Sequence, residues 1–110
     1  MSRFAEVLER LAAVIESRRG ADPTQSWSAK LLANPSLAAK KLGEEAIETV
    51  LAAAHGEKAA LAAESADMIY HWLVLLAASG VTLDEVAAVL EAREGRSGVA
   101  EKAGRGSKNP

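Results

Sequence analysis

The feature that most restricts the fold of this 110-residue chain is a segment, residues 59–78, that is apolar almost all the way round a helix. A helix with this pattern is normally buried, so other helices must surround it. The segment nevertheless contains Glu64 and Asp67, which are three residues apart and therefore share one face. Because carboxylates are costly to remove from water, this pair predicts nearby cations, hydrogen bonds or a metal.

The rest of the chain predicts further helices and shows no strand pattern. Asn34 or Ser36 can cap the helix before the apolar segment, and Thr82 with Glu85 indicates a capping box at the start of the last one. The main helices are predicted over residues 3–19, 36–54, 57–79 and 82–94, with a short helical turn within residues 26–36. The fold class is therefore all-α, a small bundle of four main helices.

Composition argues against several classes of protein. The net charge of −2 and the pI near 5.7 do not fit a general nucleic-acid binder. The chain has no cysteine, which excludes a disulfide framework and fits a cytoplasmic location. The longest strongly apolar run, around residues 68–78, is short for a bilayer span, so we expect no membrane partner. We expect one domain over residues 1–94, followed by a basic, glycine-rich tail over residues 95–110.

A second set of acids lies in the helix before the apolar segment, in the stretch KKLGEEAIETV (residues 40–50). On a helical wheel the apolar arc of this helix comprises Leu42, Ala46, Thr49, Val50 and Ala53. The wheel places Glu44, Glu45 and Glu48 on the other side. Taken alone, these acids fit the solvated face of an amphipathic helix.

The spacing of the acids about Gly56 favours a different interpretation. Glu48 and Glu64 each lie eight residues from Gly56, and Glu45 and Asp67 each lie eleven residues from it. An antiparallel helical hairpin turning at Gly56 would bring Glu48 level with Glu64, and Glu45 level with Asp67. Contacting helices have axes about 8–10 Å apart, so the four carboxylates could meet. Such a group favours a hard divalent cation, and oxygen ligands select magnesium or manganese.

Several other side chains keep two interpretations. Lys40 and Lys41 lie one turn before the acids and either hold phosphate or are simply solvated. His71 lies on the Glu64/Asp67 face, either as a structural histidine or as a catalytic one that contacts the metal ligands. Trp27 either stacks on a planar ring of a ligand or is a buried aromatic. The basic residues near the C-terminus either close over phosphates or have no such role; they are Arg93, Arg96, Lys102 and Arg105.

The motifs resemble those of a known family. EEAIE (residues 44–48) followed by ESAD (residues 64–67) is similar to the metal motif of the all-α, MazG-like nucleoside triphosphate pyrophosphohydrolases. Within that superfamily, nearly the whole chain resembles the phosphoribosyl-ATP pyrophosphohydrolases of histidine biosynthesis. The stretches that carry this closer resemblance are SWSAKLL (26–32), AAKKLGEEAIETVLAA (38–53), ESADMIYHWLVLLAASGVTLDEV (64–86) and RSGVAEKAGR (96–105).

The resemblance implies Mg²⁺-dependent hydrolysis of 1-(5-phosphoribosyl)-ATP to 1-(5-phosphoribosyl)-AMP and pyrophosphate, the second step of L-histidine biosynthesis. By position it implies that the metal ligands are Glu45, Glu48, Glu64 and Asp67, and that Glu44 is a further acid that ligates or acts on water. Glu44, Glu45 and Glu48 are then the candidate catalytic acids. The resemblance also implies an intertwined homodimer in which the partner chain completes the bundle.

Two other functions stay open at this point. A house-cleaning nucleoside triphosphate pyrophosphohydrolase would have the same metal cage and a different substrate preference. A non-catalytic helical adaptor would have its acids facing solvent, and its magnesium binding would not depend on Glu64 or Asp67.

Overall fold

The computed structural model describes residues 2–95, which form five α-helices and no strand. These are α1 (Arg3–Ser17), α2 (Trp27–Leu32), α3 (Pro35–Ala54), α4 (Lys58–Ala78) and α5 (Leu83–Ala92). The all-α prediction is confirmed, and the ends of the four main helices lie within two residues of those expected from the sequence. Of the predicted tail, only Gly95 belongs to the described residues.

Side-chain caps begin three of the helices after α1. The Oγ of Ser26 accepts the Ala29 N–H at 3.1 Å, and the Oγ1 of Thr82 accepts the Glu85 N–H at 3.1 Å. Of the two caps offered for α3, Asn34 is the one used, and its Oδ1 accepts the Leu37 N–H at 3.2 Å. The start of each of these helices is therefore determined locally, by a polar side chain that satisfies an otherwise free backbone donor.

The hairpin of α3 and α4 is the most extensive helix–helix contact in the described part of the chain. The two helices are joined by His55, Gly56 and Glu57. Gly56 has a φ of +69°, in the left-handed region that favours glycine, and this lets the chain reverse directly after α3. The turn thus falls at the residue about which the acid spacing is symmetric.

The core lies where α1 and α2 pack against the hairpin. Its fully buried large side chains are Ile15 of α1, Leu31 of α2 and Val74 of α4. The short helix α2 contributes three of the eight buried apolar residues, Ala29, Leu31 and Leu32. It is also fastened to α4 by a 2.6 Å hydrogen bond between Ser28 Oγ and Tyr70 Oη.

The predicted apolar arc of α3 is wrong by part of a turn. Val50, expected to face inward, is 65% exposed, and Ala53 is also exposed. The inward face includes Ala38 and Ala52, which are buried, and Glu45, which is half-buried. These positions recur every seven residues, which is about two helical turns, so the helix is rotated to direct small residues and one acid at α4. Three of its larger apolar residues are left on the outer face: Ile47, Val50 and Leu51.

The burial predicted all round α4 is also only partly observed. Among its 21 residues, His71, Leu73 and Val74 are buried, while most of the other large apolar ones are half-buried. The reason is that, in the part of the chain that the structure describes, α1, α2 and α3 cover only part of the surface of α4. By length and composition α4 is also the one described helix that could cross a membrane.

Candidate metal centre

The α3–α4 hairpin brings together three of the predicted acids. Glu45, Glu48 and Glu64 each offer one carboxylate oxygen, and these oxygens all lie within 4.8 Å of one another. Glu45 and Glu48 project from successive turns of α3, and Glu64 projects from the facing part of α4. The meeting of Glu48 with Glu64 is the pairing expected from a turn at Gly56.

Two carboxylate oxygens of this acidic group are shielded from water and accept no hydrogen bond from the described residues. Glu45 Oε2 and Glu64 Oε2 are both buried, and neither has a hydrogen-bond partner among residues 2–95. Buried polar atoms in folded proteins nearly always have a partner, and an unsatisfied one is a reason to look for a missing ion or water. The two oxygens are therefore available to bind a cation or a water.

The electrostatics of the group point the same way. Burial is the main cause of the raised pKa of Glu45, and the neighbouring Glu48 carboxyl raises that pKa further, while the charge of His71 opposes the change. The pKa of Glu64 is raised first because its protonated form can donate a hydrogen bond to the Glu48 carboxylate, and then by burial and by the charges of Glu48, Glu45 and Asp67. Without a cation, the ionised forms of both side chains are disfavoured.

The geometry and the donor chemistry fit one small divalent cation. Magnesium binds oxygens at about 2.0–2.1 Å, so opposite ligands of one ion are about 4.2 Å apart. The mutual separation of at most 4.8 Å among the three carboxylate oxygens is close to that span. An all-oxygen set suits magnesium or manganese and does not suit metals that prefer nitrogen or sulfur ligands.

Asp67, the fourth predicted ligand, is exposed and lies outside the group of three. Its charge nevertheless raises the pKa of both Glu45 and Glu64, so it contributes to the same negative field. Its backbone is held by the side chain of His71, whose Nδ1 donates to the Asp67 carbonyl oxygen at 2.8 Å. Asp67 therefore lies at the edge of the acidic group, on a segment of α4 that His71 fixes.

His71 is the buried polar side chain of the described core, with 8% of its surface exposed. Since Nδ1 carries the hydrogen donated to the Asp67 carbonyl, Nε2 is the ring nitrogen that takes no part in this hydrogen bond. That Nε2 is buried and has no partner within the described residues. The Tyr70 ring packs edge-on against the imidazole, with centroids 4.9 Å apart, so the orientation of His71 is fixed.

Comparison with known proteins places this chain in a family. A model of the phosphoribosyl-ATP pyrophosphohydrolase family matches residues 8–94, a range that includes all five predicted acids. The chain belongs to this family. The resemblance identified from the sequence motifs is thereby confirmed.

Relatives of the phosphoribosyl-ATP pyrophosphohydrolase family match nearly end to end. A Caulobacter protein named phosphoribosyl-ATP pyrophosphatase is 67% identical over 107 residues, which is 97% of this chain and 100% of the relative. Proteins of the same name from Cereibacter sphaeroides and Ruegeria pomeroyi are 64% and 56% identical. Those matches cover 91% and 90% of this chain, and 98% and 95% of the respective relatives.

The remaining predicted site residues of this family member are placed as follows. Lys41 Nζ lies 3.3 Å from Glu44 Oε2, and both side chains lie beside the acidic group and outside it. Lys40 is exposed on α3, and Arg93 is exposed just after α5. Three predicted phosphate ligands lie outside the described residues: Arg96, Lys102 and Arg105.

Sequence reasoning missed one relationship near the site. Lys41 of α3 lies beside the ring of Trp27 of α2, with its Nζ 6.0 Å from the ring centroid. Lys30 also lies over this ring, at 5.6 Å. The Lys30 contact could have been anticipated, because Trp27 and Lys30 are three residues apart on one helix. The Lys41 contact depends on how α2 packs beside α3, which the sequence does not indicate.

Proposed function

We propose that this chain hydrolyses 1-(5-phosphoribosyl)-ATP to 1-(5-phosphoribosyl)-AMP and pyrophosphate, the second step of histidine biosynthesis. Family membership and the name carried by close relatives support this substrate. The observation that carries the chemistry is the meeting of Glu45, Glu48 and Glu64 from two helices, with two buried and unpartnered oxygens. A site of this kind binds a cation that in turn binds phosphate oxygens.

The cation proposed for this site is Mg²⁺, with Mn²⁺ as the alternative that the same ligands accept. Glu45, Glu48 and Glu64 would hold it, and Asp67 at the edge of the group is the proposed fourth ligand. When bound, such an ion supplies charge neutralisation at the phosphate oxygens as the phosphoanhydride breaks.

The side chains around the acidic group supply proton transfer and phosphate binding. Hydrolysis takes a proton from the attacking water, and Glu44, exposed beside the group, is the proposed acceptor. Lys41 and Lys40 are proposed to bind phosphate as point charges. Arg93 is proposed to do the same from the end of α5, together with Arg96, Lys102 and Arg105 of the tail. We propose that His71 supports the site by holding the Asp67 backbone in place.

We further propose that the chain works as a homodimer. The outer face of α3 exposes Ile47, Val50 and Leu51, with 63%, 65% and 51% of their surfaces accessible. On α5, Val89 and Leu90 are 48% and 60% exposed. Large apolar residues grouped in this way mark a surface that another protein covers. A second copy of the chain would cover these residues and complete the bundle around α4.

A cytoplasmic location without a membrane or nucleic-acid partner completes the proposal. A bilayer would have to accommodate Glu64, Asp67 and His71 along the length of α4, and ionisable residues inside a membrane are costly. The negative net charge of the chain opposes binding to nucleic-acid phosphates.

The test is pyrophosphate release from phosphoribosyl-ATP by the purified protein, with and without Mg²⁺. We expect release that requires the metal and is abolished in Glu48→Gln. A panel of deoxynucleoside triphosphates assayed in parallel separates the proposed activity from a house-cleaning one, because preference for the panel would reject phosphoribosyl-ATP as the substrate. No release from any substrate would favour the helical adaptor.

A further inference from the structure

Trp27 is an exposed aromatic residue on a firmly held helix. It is the first residue of α2 and is 45% exposed, whereas Trp72 packs against the core. Helix α2 is anchored by the buried Leu31 and by the hydrogen bond between the hydroxyl groups of Ser28 and of Tyr70 on α4. The indole is thus presented to solvent by a rigid support, although burying it would have been favourable.

The charges around the indole show what its surface accepts. The ammonium groups of Lys30 and Lys41 lie 5.6 Å and 6.0 Å from the ring centroid. Both distances are within the range of about 6 Å over which a cation is attracted to an aromatic face, and indole is the best of the protein rings for this contact. Because such contacts are weak at exposed sites, an incoming ligand can displace either lysine.

Lys41 connects the indole with the acidic group. Its Nζ is 6.0 Å from the Trp27 ring centroid and 3.3 Å from Glu44 Oε2. Glu45 follows one turn later on α3, at about 6 Å along the helix axis. The indole and the carboxylates therefore lie on the same side of α3, and one nucleotide can place its base at the first and its phosphates near the second.

We propose that Trp27 is the surface on which the purine of the substrate stacks, and that it selects a positively charged purine. This inference rests on the proposed function, since 1-(5-phosphoribosyl)-ATP carries its second ribose on N1 of the adenine. A substituent on N1 makes the adenine ring system more basic, so the ring is protonated and cationic at neutral pH, whereas the adenine of ATP is neutral. The indole face attracts the former more strongly.

The two lysines complete this subsite. In the free protein Lys30 and Lys41 occupy the position beside the indole that a cationic purine would take. When the nucleotide binds, its phosphates are stronger partners for an ammonium group than an aromatic ring is. Both lysines then move from the ring to the phosphates, and the base replaces them on the indole. Trp27 thus becomes a binding residue that distinguishes phosphoribosyl-ATP from ATP.

The first test measures the kinetics of pyrophosphate release with Trp27→Leu and Trp27→Phe. Loss of one base–aromatic stack should raise KM for phosphoribosyl-ATP about tenfold in Trp27→Leu, with kcat nearly unchanged. Trp27→Phe keeps a ring and should retain most of the affinity. An unchanged KM in Trp27→Leu, or a loss confined to kcat, would overturn the inference. If the wild-type protein releases no pyrophosphate, the proposed function fails, and the binding test below still decides on Trp27.

The second test needs no turnover. Trp72→Phe leaves Trp27 as the one indole of the chain, so its fluorescence reports contact with a base. We expect 1-methyl-AMP and AMP both to quench this fluorescence, with 1-methyl-AMP half-saturating at a concentration about fivefold lower. If the two nucleotides half-saturate at the same concentration, Trp27 does not prefer a cationic purine. If neither nucleotide quenches the fluorescence, the purine does not stack on Trp27. If Trp72→Phe lowers thermal stability, the difference in quenching between wild type and Trp27→Phe provides the same measurement.

Discussion

Glu45 of α3 and Glu64 of α4 place carboxylate oxygens within 4.8 Å of each other across the helical hairpin. Each has its Oε2 buried without a hydrogen-bond partner in the described range 2–95. The folded chain therefore holds like charges together before any ligand arrives, which disfavours the folded state, and a divalent cation removes that cost.

Replacing Glu64 with Gln should separate activity from stability. The change removes a proposed metal ligand, so we expect pyrophosphate release to fall at least about 100-fold. It also removes one of the repelling charges, so the melting temperature in the presence of a chelator should be unchanged or higher. Glu6→Gln, an exposed substitution on α1, is the control and should alter neither quantity. A normal rate in Glu64→Gln would remove this residue from the site.

The stability of the metal-free protein should depend on pH through Glu45 and Glu64. Both have a pKa raised above the ordinary value of 4.5 in the folded state. The folded protein therefore binds their protons more readily than the unfolded chain does, and this contribution to stability is lost as pH rises from about 4.5 through the raised pKa values. The pKa values of Glu16 and Asp22 are lowered in the folded state. Their contribution to stability is therefore lost as pH falls, which is the opposite direction.

The measurement that isolates the acidic group is the difference in melting temperature between wild type and Glu45→Gln, recorded with chelator across this pH range. The melting temperature of the wild type should fall further below that of Glu45→Gln as pH rises. Adding Mg²⁺ at neutral pH should reduce this difference. A difference that stays constant with pH would show that Glu45 does not titrate in the way its surroundings indicate.

The outer face of α3 should control assembly. Val50→Lys places a charge among the exposed apolar residues proposed to meet a second copy, so we expect light scattering to show a shift from dimer to monomer. Ser36→Lys introduces the same charge at an exposed polar position of the same helix and should leave the mass unchanged. A Val50→Lys protein with the mass of the wild type would exclude this face from the interface.

Leu31 should be among the residues most important for stability. It is 0% exposed in the core, so Leu31→Ala should lower the free energy of unfolding by about 2–5 kcal/mol. Leu90, which is 60% exposed on α5, provides the matched comparison, and for Leu90→Ala we expect a change within about 0.5 kcal/mol in monomeric conditions. Chemical denaturation measures both. Equal effects would show that α2 is less firmly packed than its burial indicates.

Features that depend on local chemistry could be predicted from the sequence. The caps at Asn34 and Thr82 follow from side chains that can satisfy backbone donors close by in the chain. The meeting of Glu48 with Glu64 follows from counting residues on both sides of Gly56, since the rise of a helix per residue is fixed. These predictions needed no knowledge of the rest of the fold.

Features that depend on contacts between distant segments could not be predicted. The rotation of α3 was misjudged because Val50 is as apolar as a core residue, and apolarity alone does not tell an internal face from a surface that a second protein covers. The position of Asp67 at the edge of the acidic group depends on how its side chain projects from α4. The approach of Lys41 to Trp27 depends on the packing of α2 beside α3.

The tight reversal at Gly56 also constrains how such a chain can evolve. Adding one residue between α3 and α4 would turn one helix by about 100° relative to the other and would carry Glu64 away from Glu48. Insertions should therefore be absent at this connection, while the longer link between α1 and α2 can change in length freely. The length of the connection between α3 and α4 should therefore stay constant among proteins that keep this acidic group, because the position of the turn decides which carboxylates meet.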